Sequence, residues 1–305
     1  MNTVRAAAGT AFLATLVASP LGAQNRLLAE IPIELAHSKA ILPVTVGGST
    51  LRLILDSGMP YDGVLVFDTA KVDLTRFPNL VQAQIGGAGQ GDGTRALHDP
   101  TAGFSIGSMS FDGQAVIILA TDIYKGFSHD GVIGYSVLGH YAVELDYGAG
   151  RMRLYEPTTF SAEAGWASVD LYFKQNRVPW MDVRVATADE APVALATYLD
   201  CASGESLELL EREANTFTVP ASSGEKLIGR GLSGDIYGKE GRLSLVVVGP
   251  FTLEDVPVMV TPAAVRSKQE GADAVVGNGL LSRFDVVFDY AHQKIHLRPK
   301  RAAGS

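Results

Sequence analysis

The chain has 305 residues, of which 47% are hydrophobic and 19% charged, with one cysteine and a formal net charge of −8. This composition excludes a disordered, a collagen-like and a disulfide-stabilised chain. The acidic balance, without a run of Lys or Arg, argues against a nucleic-acid partner, because phosphate binding needs a basic face. The length admits either one large domain or two smaller ones.

The N-terminus has the plan of a secretory signal peptide. A basic residue, Arg5, precedes an apolar stretch over 6–17 and the small-residue segment that ends at Ala23. That stretch is short for a bilayer span, so we predict a signal peptide over 1–23, with a short membrane anchor as the alternative. No later apolar run is long enough to span a membrane. We therefore expect an exported protein, periplasmic or secreted, with no stable membrane span after signal cleavage.

The remaining chain is predicted to be mostly strand. Short apolar or alternating runs, punctuated by Gly and Asp-Gly, indicate strands joined by tight turns. In the first half these runs are Pro43–Val46, Leu51–Leu55, Val116–Leu119, Tyr141–Leu145 and Met152–Tyr155. Helix is scarce, and short helical stretches are predicted at 135–139, 206–214 and 278–282.

One unit of about 140 residues occurs twice, in the same order. The matching segments are Leu51–Gly58 with Leu195–Ala202, Phe104–Val116 with Val246–Val258, and Asp130–Tyr147 with Asp273–Tyr290. A small-residue stretch near 157–163 separates the two copies. We therefore predict an all-β protein of two similar lobes, over 24–157 and 158–305, that pack about a pseudo-twofold axis.

In each unit an apolar strand leads into an aspartate at a tight turn, first at Asp56 and again at Asp200. A single Asp-Ser-Gly is ordinary turn chemistry, but the duplication brings the two aspartates together at the axis. Two carboxyls at close range share a proton, so one acts as general base while the other acts as general acid. Attack of water on a peptide carbonyl requires this pair of roles.

These residues resemble the retropepsin-like and pepsin-like aspartic proteases, with two short, bacterial-style lobes in one chain. Three features recur in both halves: the Asp turn, an apolar-apolar-Gly step ending at Gly134 or Gly277, and a closing hairpin that ends in Asp-Tyr. The resemblance covers nearly everything after Glu30. It implies two β-barrel lobes with short helices only, catalysis by Asp56 and Asp200, a glycine behind each catalytic turn, and no metal or organic cofactor.

The resemblance also implies a β-hairpin flap over the cleft in each half. The candidates are the glycine-rich segments 85–93 and 228–236, where glycine permits close approach of a peptide and lets the hairpin open. The residues expected to bind substrate there are Gly87, Gly89, Gly91, Gly231, Ser233 and Gly234. A phosphate-binding loop is the competing interpretation, but neither segment ends in Gly-Lys-Ser/Thr.

The turns depart from the family pattern of Asp, Thr or Ser, Gly, and then a small or hydroxylated residue. The first continues with Met59, and in the second a thiol replaces the hydroxyl that braces one lobe against the other in the family. The residues expected to support the carboxyls are Ser57, Gly58, Cys201, Ala202 and Ser203. Cys201 as a protease nucleophile or metal ligand is disfavoured, since no histidine lies at an informative spacing.

The two turns also differ in the donors that they offer. Ser203 is able to donate a hydrogen bond to Asp200, whereas Met59 has no donor for Asp56. Because hydrogen bonds favour the ionised form of a carboxyl, we predict that Asp200 is the ionised partner and Asp56 the protonated one.

The sequence thus predicts an aspartic endopeptidase that acts on an extended peptide or protein, with a water activated between Asp56 and Asp200. Both carboxyls belong to one chain, so a dimer is not required for catalysis. The alternative is a catalytically degenerate module of the cell envelope that binds peptides or proteins in the same cleft.

Overall fold

A computed structural model describes residues 25–174, 177–187 and 190–300, so the predicted signal peptide over 1–23 lies outside the described residues. Over these ranges the chain is built from strands, with two short α-helices and a few 3₁₀ turns. The all-β class predicted from the alternating runs is confirmed. No helix of the described residues is both long and apolar enough to cross a membrane.

The strands of the first half match the predicted runs and extend them. They are β1 (Leu27–Pro32), β2 (Glu34–Ala36), β3 (Lys39–Val46), β4 (Ser49–Leu55), β5 (Gly63–Val66), β6 (Val81–Ile85), β7 (Thr94–Asp99), β8 (Phe104–Ile106), β9 (Met109–Phe111), β10 (Ala115–Leu119), β11 (Gly131–Ile133), β12 (Ala142–Asp146) and β13 (Arg151–Tyr155). The helical elements are α1 (Tyr135–Leu138) and 3₁₀ turns at Thr69–Lys71, Leu74–Arg76 and Pro157–Thr159.

The second half repeats this pattern with longer hairpins. Its strands are β14 (Ala167–Asp170), β15 (Tyr172–Phe173), β16 (Pro179–Ala186), β17 (Val193–Asp200), β18 (Leu207–Glu211), β19 (Ser223–Gly231), β20 (Gly234–Val248), β21 (Phe251–Pro262), β22 (Ala274–Gly277), β23 (Phe284–Asp289) and β24 (Lys294–Pro299). The helical elements are α2 (Asn278–Leu281) and a 3₁₀ turn at Ala263–Arg266.

Each half folds around a sheet of its own. The N-terminal lobe contains the sheet with strand order β6-β7-β10-β5-β11-β4-β3-β8-β9, in which β2 also pairs with β3. The C-terminal lobe contains the sheet with order β15-β16-β17-β22-β18-β21-β20-β19. One large core of buried apolar side chains extends through both lobes. The exact boundary between the lobes stays a prediction.

A third sheet, with order β1-β13-β12-β23-β24-β14, joins the two lobes. At its centre β12 and β23 are antiparallel, and Glu144 pairs with Val287. These two residues occupy equivalent positions in the aligned copies, fourteen residues after Asp130 and Asp273 respectively. Equivalent residues pair directly only where an antiparallel pair lies on a twofold axis. The pseudo-twofold axis therefore passes between Glu144 and Val287.

The same parallel pairing positions the Asp turn in both lobes. Strand β11 lies parallel to β4, and β22 lies parallel to β17. The repeated aspartates at the start of the third motif hold this pairing, because the Asp130 carboxylate accepts the Arg52 N–H at 2.9 Å and the Asp273 carboxylate accepts the Ala196 N–H at 3.0 Å. Each apolar-apolar-Gly step is thereby fixed beside the strand that leads into the Asp turn.

The predicted helix over 206–214 is wrong, because this segment forms strand β18. Leu207, Leu209 and Leu210 are at most 1% exposed, and the strand lies between β21 and β22. Burial in the middle of a sheet outweighs the helix propensity of Leu and Glu. The short helices predicted at 135–139 and 278–282 are confirmed as α1 and α2.

Buried hydrogen bonds of Asn278 connect the two lobes. The Tyr147 hydroxyl donates to Asn278 Oδ1 at 2.5 Å, and the Asn278 amide donates to the Ser38 carbonyl. We expect Tyr147→Phe to lower the free energy of unfolding by roughly 1–3 kcal/mol, because it leaves the buried Asn278 oxygen without this donor. Urea unfolding measures this change.

Tyr61→Phe is the matched control, since Tyr61 is 60% exposed. Its free energy of unfolding should change by no more than about 0.5 kcal/mol. Equal stability of the two variants would contradict an energetic role of the bond between the lobes.

Candidate active site

The predicted catalytic turns lie opposite each other where the lobes meet. Asp56 follows β4, and its Oδ1 accepts the Gly58 N–H at 2.8 Å. Asp200 ends β17 and is 9% exposed. Its Oδ1 accepts the N–H groups of Ala202 and Ser203, both at 3.1 Å.

The two carboxyls face one another across Gly58. A methyl group built on Gly58 would lie 3.1 Å from Oδ1 of Asp56 and 3.4 Å from Cγ of Asp200. The structure therefore brings the two predicted aspartates side by side. It also explains the glycine, because any larger residue would contact both carboxyls.

Ser57 and Cys201 brace the turns with a reciprocal set of buried hydrogen bonds. The Ser57 hydroxyl donates to the Leu199 carbonyl at 2.9 Å and accepts the Cys201 N–H at 3.0 Å. The Cys201 thiol donates to the Leu55 carbonyl at 3.1 Å and accepts the Ser57 N–H at 3.2 Å. Burial, with a contribution from the Asp56 charge, raises the pKa of the Cys201 thiol to about 12. The thiol therefore keeps its proton and occupies the place of the missing hydroxyl.

The two predicted backing glycines lie against the turns. A Cβ on Gly134 would come within 2.3 Å of the Asp56 carbonyl oxygen. A Cβ on Gly277 would come within 2.3 Å of the Glu205 carbonyl oxygen and 3.1 Å of the Ser203 carbonyl. Side chains at these positions would push the turns out of place.

The electrostatics of the pair are asymmetric. Burial and the neighbouring Asp200 charge raise the pKa of Asp56 to about 8, against the opposing hydrogen bond from Gly58. Asp56 therefore holds a proton at neutral pH, which is the direction that the sequence predicts. The donors are different from those expected, since the Ser203 backbone N–H, and not its hydroxyl, donates to Asp200.

A further donor to Asp200 was not predicted from the sequence. Arg266 Nη1 lies 3.3 Å from Oδ2 of Asp200, and Arg266 Nε and Nη2 bond to Glu208 at 3.1 and 2.6 Å. Arg266 was missed because the helix predicted over 206–214 does not place Glu208 in the strand from which it binds Arg266. A buried acid beside apolar residues in a strand is the signal that identifies it.

The two glycine-rich segments predicted as flaps lie at the tips of two hairpins, and these tips meet; their role as flaps over the cleft stays a prediction. The 86–93 loop joins β6 to β7, and a tight turn at 231–234 joins β19 to β20. Gly91 N–H donates to the Ser233 carbonyl at 2.6 Å, and Ser233 N–H donates to the Ala88 carbonyl at 2.9 Å. Gly87 N–H donates to the Ser233 hydroxyl at 3.3 Å. The two hairpin tips are therefore held against each other.

The remaining predicted flap glycines have steric or conformational reasons. A Cβ on Gly231 would lie 2.1 Å from the Ala88 carbonyl oxygen, so only glycine allows this approach. Gly89 and Gly234 have φ of 113° and 118°, which favour glycine. A groove of about 530 Å³ runs beside the tips, and its lining does not include Asp56 or Asp200.

Three aromatic side chains of the N-terminal lobe pack against one another. Phe67 stacks on Tyr124 at 4.0 Å, and Phe127 packs edge-on against Tyr124 at 5.1 Å. Burial, with a contribution from the Asp56 charge, raises the pKa of Tyr124, and this ring belongs to the same apolar cluster as Met59, which follows the first Asp turn. Burial and the charge of Lys39 lower the pKa of His129 to about 4, so that ring is neutral.

Over residues 25–174, 177–187 and 190–300, no group of three or more His, Cys, Asp and Glu side chains is arranged to hold a metal ion. A site without metal or organic cofactor stays a prediction.

Comparison with known proteins identifies the fold. No family model and no curated protein matches the chain. Its structure is similar to the crystal structure of the aspartic proteinase from Irpex lacteus, with a TM-score of 0.51 and 10% sequence identity. The match covers 89% of this chain and 97% of the proteinase. The chain therefore has the two-lobe β fold of pepsin-like aspartic proteinases, and the predicted fold class is confirmed.

Cys201 permits a test of the brace with a matched pair of variants. Cys201→Thr and Cys201→Val introduce side chains of equal size that differ in a hydroxyl. We expect the valine variant to be less stable by roughly 1–3 kcal/mol, because the buried Leu55 carbonyl and Ser57 N–H lose their partner. Denaturant unfolding of the two variants measures the difference, and equal stabilities would show that a polar group at position 201 does not stabilise the brace.

Proposed function

We propose that the protein is an exported, single-chain aspartic endopeptidase that hydrolyses an extended peptide between Asp56 and Asp200. The observation that carries this proposal is the placement of two carboxyls across Gly58 in the junction between two lobes. The raised pKa of Asp56, caused by burial and the Asp200 charge, supports it. The Ser57 and Cys201 brace supports it, because it fixes the relative position of both turns.

The asymmetry of the pair assigns a role to each carboxyl. Asp200, as the carboxylate, takes a proton from water while the water oxygen attacks the peptide carbonyl. Asp56 gives its proton to the carbonyl oxygen in the same step. When the tetrahedral intermediate breaks, the C–N bond is cleaved and Asp200 returns its proton to the leaving amine. Asp56 regains a proton from one hydroxyl of the intermediate, whose oxygen becomes the carbonyl oxygen of the new carboxylic acid.

The flaps fit a substrate in extended conformation. Their tips expose backbone N–H and C=O groups, which bond to each other in this closed state. An extended peptide offers the same groups, so it is able to replace the contacts between the tips with contacts to itself, as in strand addition. The hydrogen bonds between the two tips must break first, because they occupy the same backbone groups.

A binding module without hydrolysis is the second candidate. The ion pair between Arg266 and Asp200 favours it, because a paired carboxylate is a weaker base. A mixture of diverse peptides distinguishes the two candidates: the endopeptidase cleaves them and is inhibited by a statin-type transition-state mimic, whereas the module binds them unchanged.

Asparagine substitutions test the catalytic pair. We expect Asp56→Asn and Asp200→Asn each to lower kcat/KM for a cleaved peptide by a factor on the order of 10³ or more, because each removes an acid–base group. Asp255→Asn is the control, since Asp255 is exposed and its φ of 51° suits asparagine. Cleavage at the wild-type rate by either active-site variant, with normal folding by circular dichroism, would exclude this mechanism.

The pH profile tests the protonated carboxyl. Since the pKa of Asp56 is raised to about 8, this group is protonated below that pH and loses its proton above it. Cleavage should therefore be retained at neutral pH and fall as pH rises through about 8, roughly tenfold per unit. The kcat/KM of a fluorogenic peptide between pH 4 and 10 measures this. A decline complete by pH 6, while the protein stays folded, would contradict the assignment.

A further inference from the structure

The second oxygen of Asp200 is paired with a guanidinium that is itself held by a buried acid. Arg266 contacts Asp200 Oδ2 through Nη1 at 3.3 Å, while its Nε and Nη2 contact the two oxygens of Glu208. The side chain of Glu208 is 1% exposed and that of Arg266 is 10% exposed. Thr261 donates a further hydrogen bond to Glu208 at 2.9 Å. The fork of Arg266 is thus fixed in one plane, with its free nitrogen directed at Asp200.

This arrangement exists in only one lobe. Glu208 pairs with Val275 in the C-terminal sheet, and Leu65 pairs with Val132 in the N-terminal sheet. Val132 and Val275 are equivalent in the aligned copies, so Leu65 occupies the position of Glu208. Leu65 is 5% exposed and packs in an apolar cluster. The acid that orients Arg266 therefore has an apolar counterpart beside Asp56.

The charges around the pair identify Arg266 as its main counter-ion. The titratable and charged groups that face the two carboxyls or Arg266 are Lys39, Tyr124, Tyr198, Cys201, Glu208 and Tyr290, together with Asp56, Asp200 and Arg266 themselves. Burial lowers the pKa of Lys39, and burial raises the pKa values of Tyr198 and Tyr290. Arginine alone in this set is charged at every accessible pH.

We propose that Arg266, oriented by Glu208, is a positioning residue that keeps Asp200 ionised and thereby assigns the shared proton to Asp56. This inference rests on the proposed function for its catalytic meaning, but not for its test. A guanidinium within hydrogen-bond distance favours the charged form of a carboxyl. The like charge of Asp200 then disfavours ionisation of Asp56, whose carboxyl feels the Arg266 charge but makes no hydrogen bond to the guanidinium. The two roles in hydrolysis are thus fixed before substrate binds.

The test follows the aspartates directly, without reference to activity. The full mature chain is labelled with ¹³C at the aspartate carboxyls and titrated by NMR, and Asp56→Asn and Asp200→Asn assign the two signals. The decisive variant is E208Q/R266M, which removes both buried charges together and leaves neither unpaired. Arg242→Met is the matched control, because it removes an exposed arginine paired with Asp255.

We expect Asp200 to titrate well below Asp56 in the wild-type chain. In E208Q/R266M the midpoint of Asp200 should rise by roughly 1–3 pH units, the usual effect of an adjacent opposite charge. The acidic limb of the cleavage profile should move with it. R266K keeps the charge and should restore part of the shift, and R242M should leave both midpoints unchanged.

An unchanged Asp200 midpoint in E208Q/R266M would overturn the proposal, as would a wild-type chain in which Asp200 takes the higher midpoint. If the double variant does not fold, Arg266→Lys replaces it. Lysine keeps the buried charge opposite Glu208 but lacks the planar fork, so the Asp200 midpoint should lie above the wild-type one, and an unchanged midpoint would overturn the proposal. A wild-type chain that cleaves no peptide would refute the proposed function, while the titration would still decide the role of Arg266.

Discussion

The site depends on the hydrogen bonds that cross between the two Asp turns. Ser57 and Cys201 each donate to a carbonyl of the opposite lobe and accept an N–H from it, with both side chains buried. An unpaired buried donor or acceptor is costly, so neither turn can shift alone without breaking this set. The separation of Asp56 and Asp200 is therefore fixed by hydrogen bonds between the Ser57 and Cys201 side chains and the backbone of the opposite lobe. These bonds hold the carboxyls in place although the carboxyls repel each other when both are charged.

The strands of the two lobes are arranged symmetrically, but the charged side chains around the two aspartates are not. Pairing of Glu144 with Val287 on the axis places the two copies of the fold in equivalent surroundings. Equivalent surroundings would give both aspartates the same tendency to ionise. Glu208 in place of the apolar residue at Leu65 breaks this equality, because Glu208 holds a guanidinium that forms a hydrogen bond with Asp200 and not with Asp56. The asymmetry of charge around the two carboxyls thus originates in the C-terminal lobe.

The sequence predicted the parts of the molecule that depend on local pattern or on the repeat. The alternating runs gave strands, and the alignment of the copies paired Asp56 with Asp200. Contacts between segments that lie far apart in the chain could not be predicted from these patterns. Leu207 to Glu211 has good helix formers, so its burial as a central strand, and with it the bond from Glu208 to Arg266, required the whole sheet. The glycine-rich flaps were predicted, but their mutual contact depends on how the lobes face each other.

The 3₁₀ turn at Ala263–Arg266 contacts the 86–93 loop through its backbone and carries Arg266, but the two sets of bonds are separate. Gly89 N–H donates to the Val265 carbonyl at 2.8 Å, next to Arg266 in the chain. The guanidinium of Arg266, by contrast, bonds to Asp200 and Glu208, which both belong to the C-terminal sheet. The hairpin therefore contacts this turn through a backbone hydrogen bond, and the side-chain bonds of Arg266 do not involve the hairpin. A displacement of the hairpin tip would break the backbone bond and leave the guanidinium in contact with Asp200.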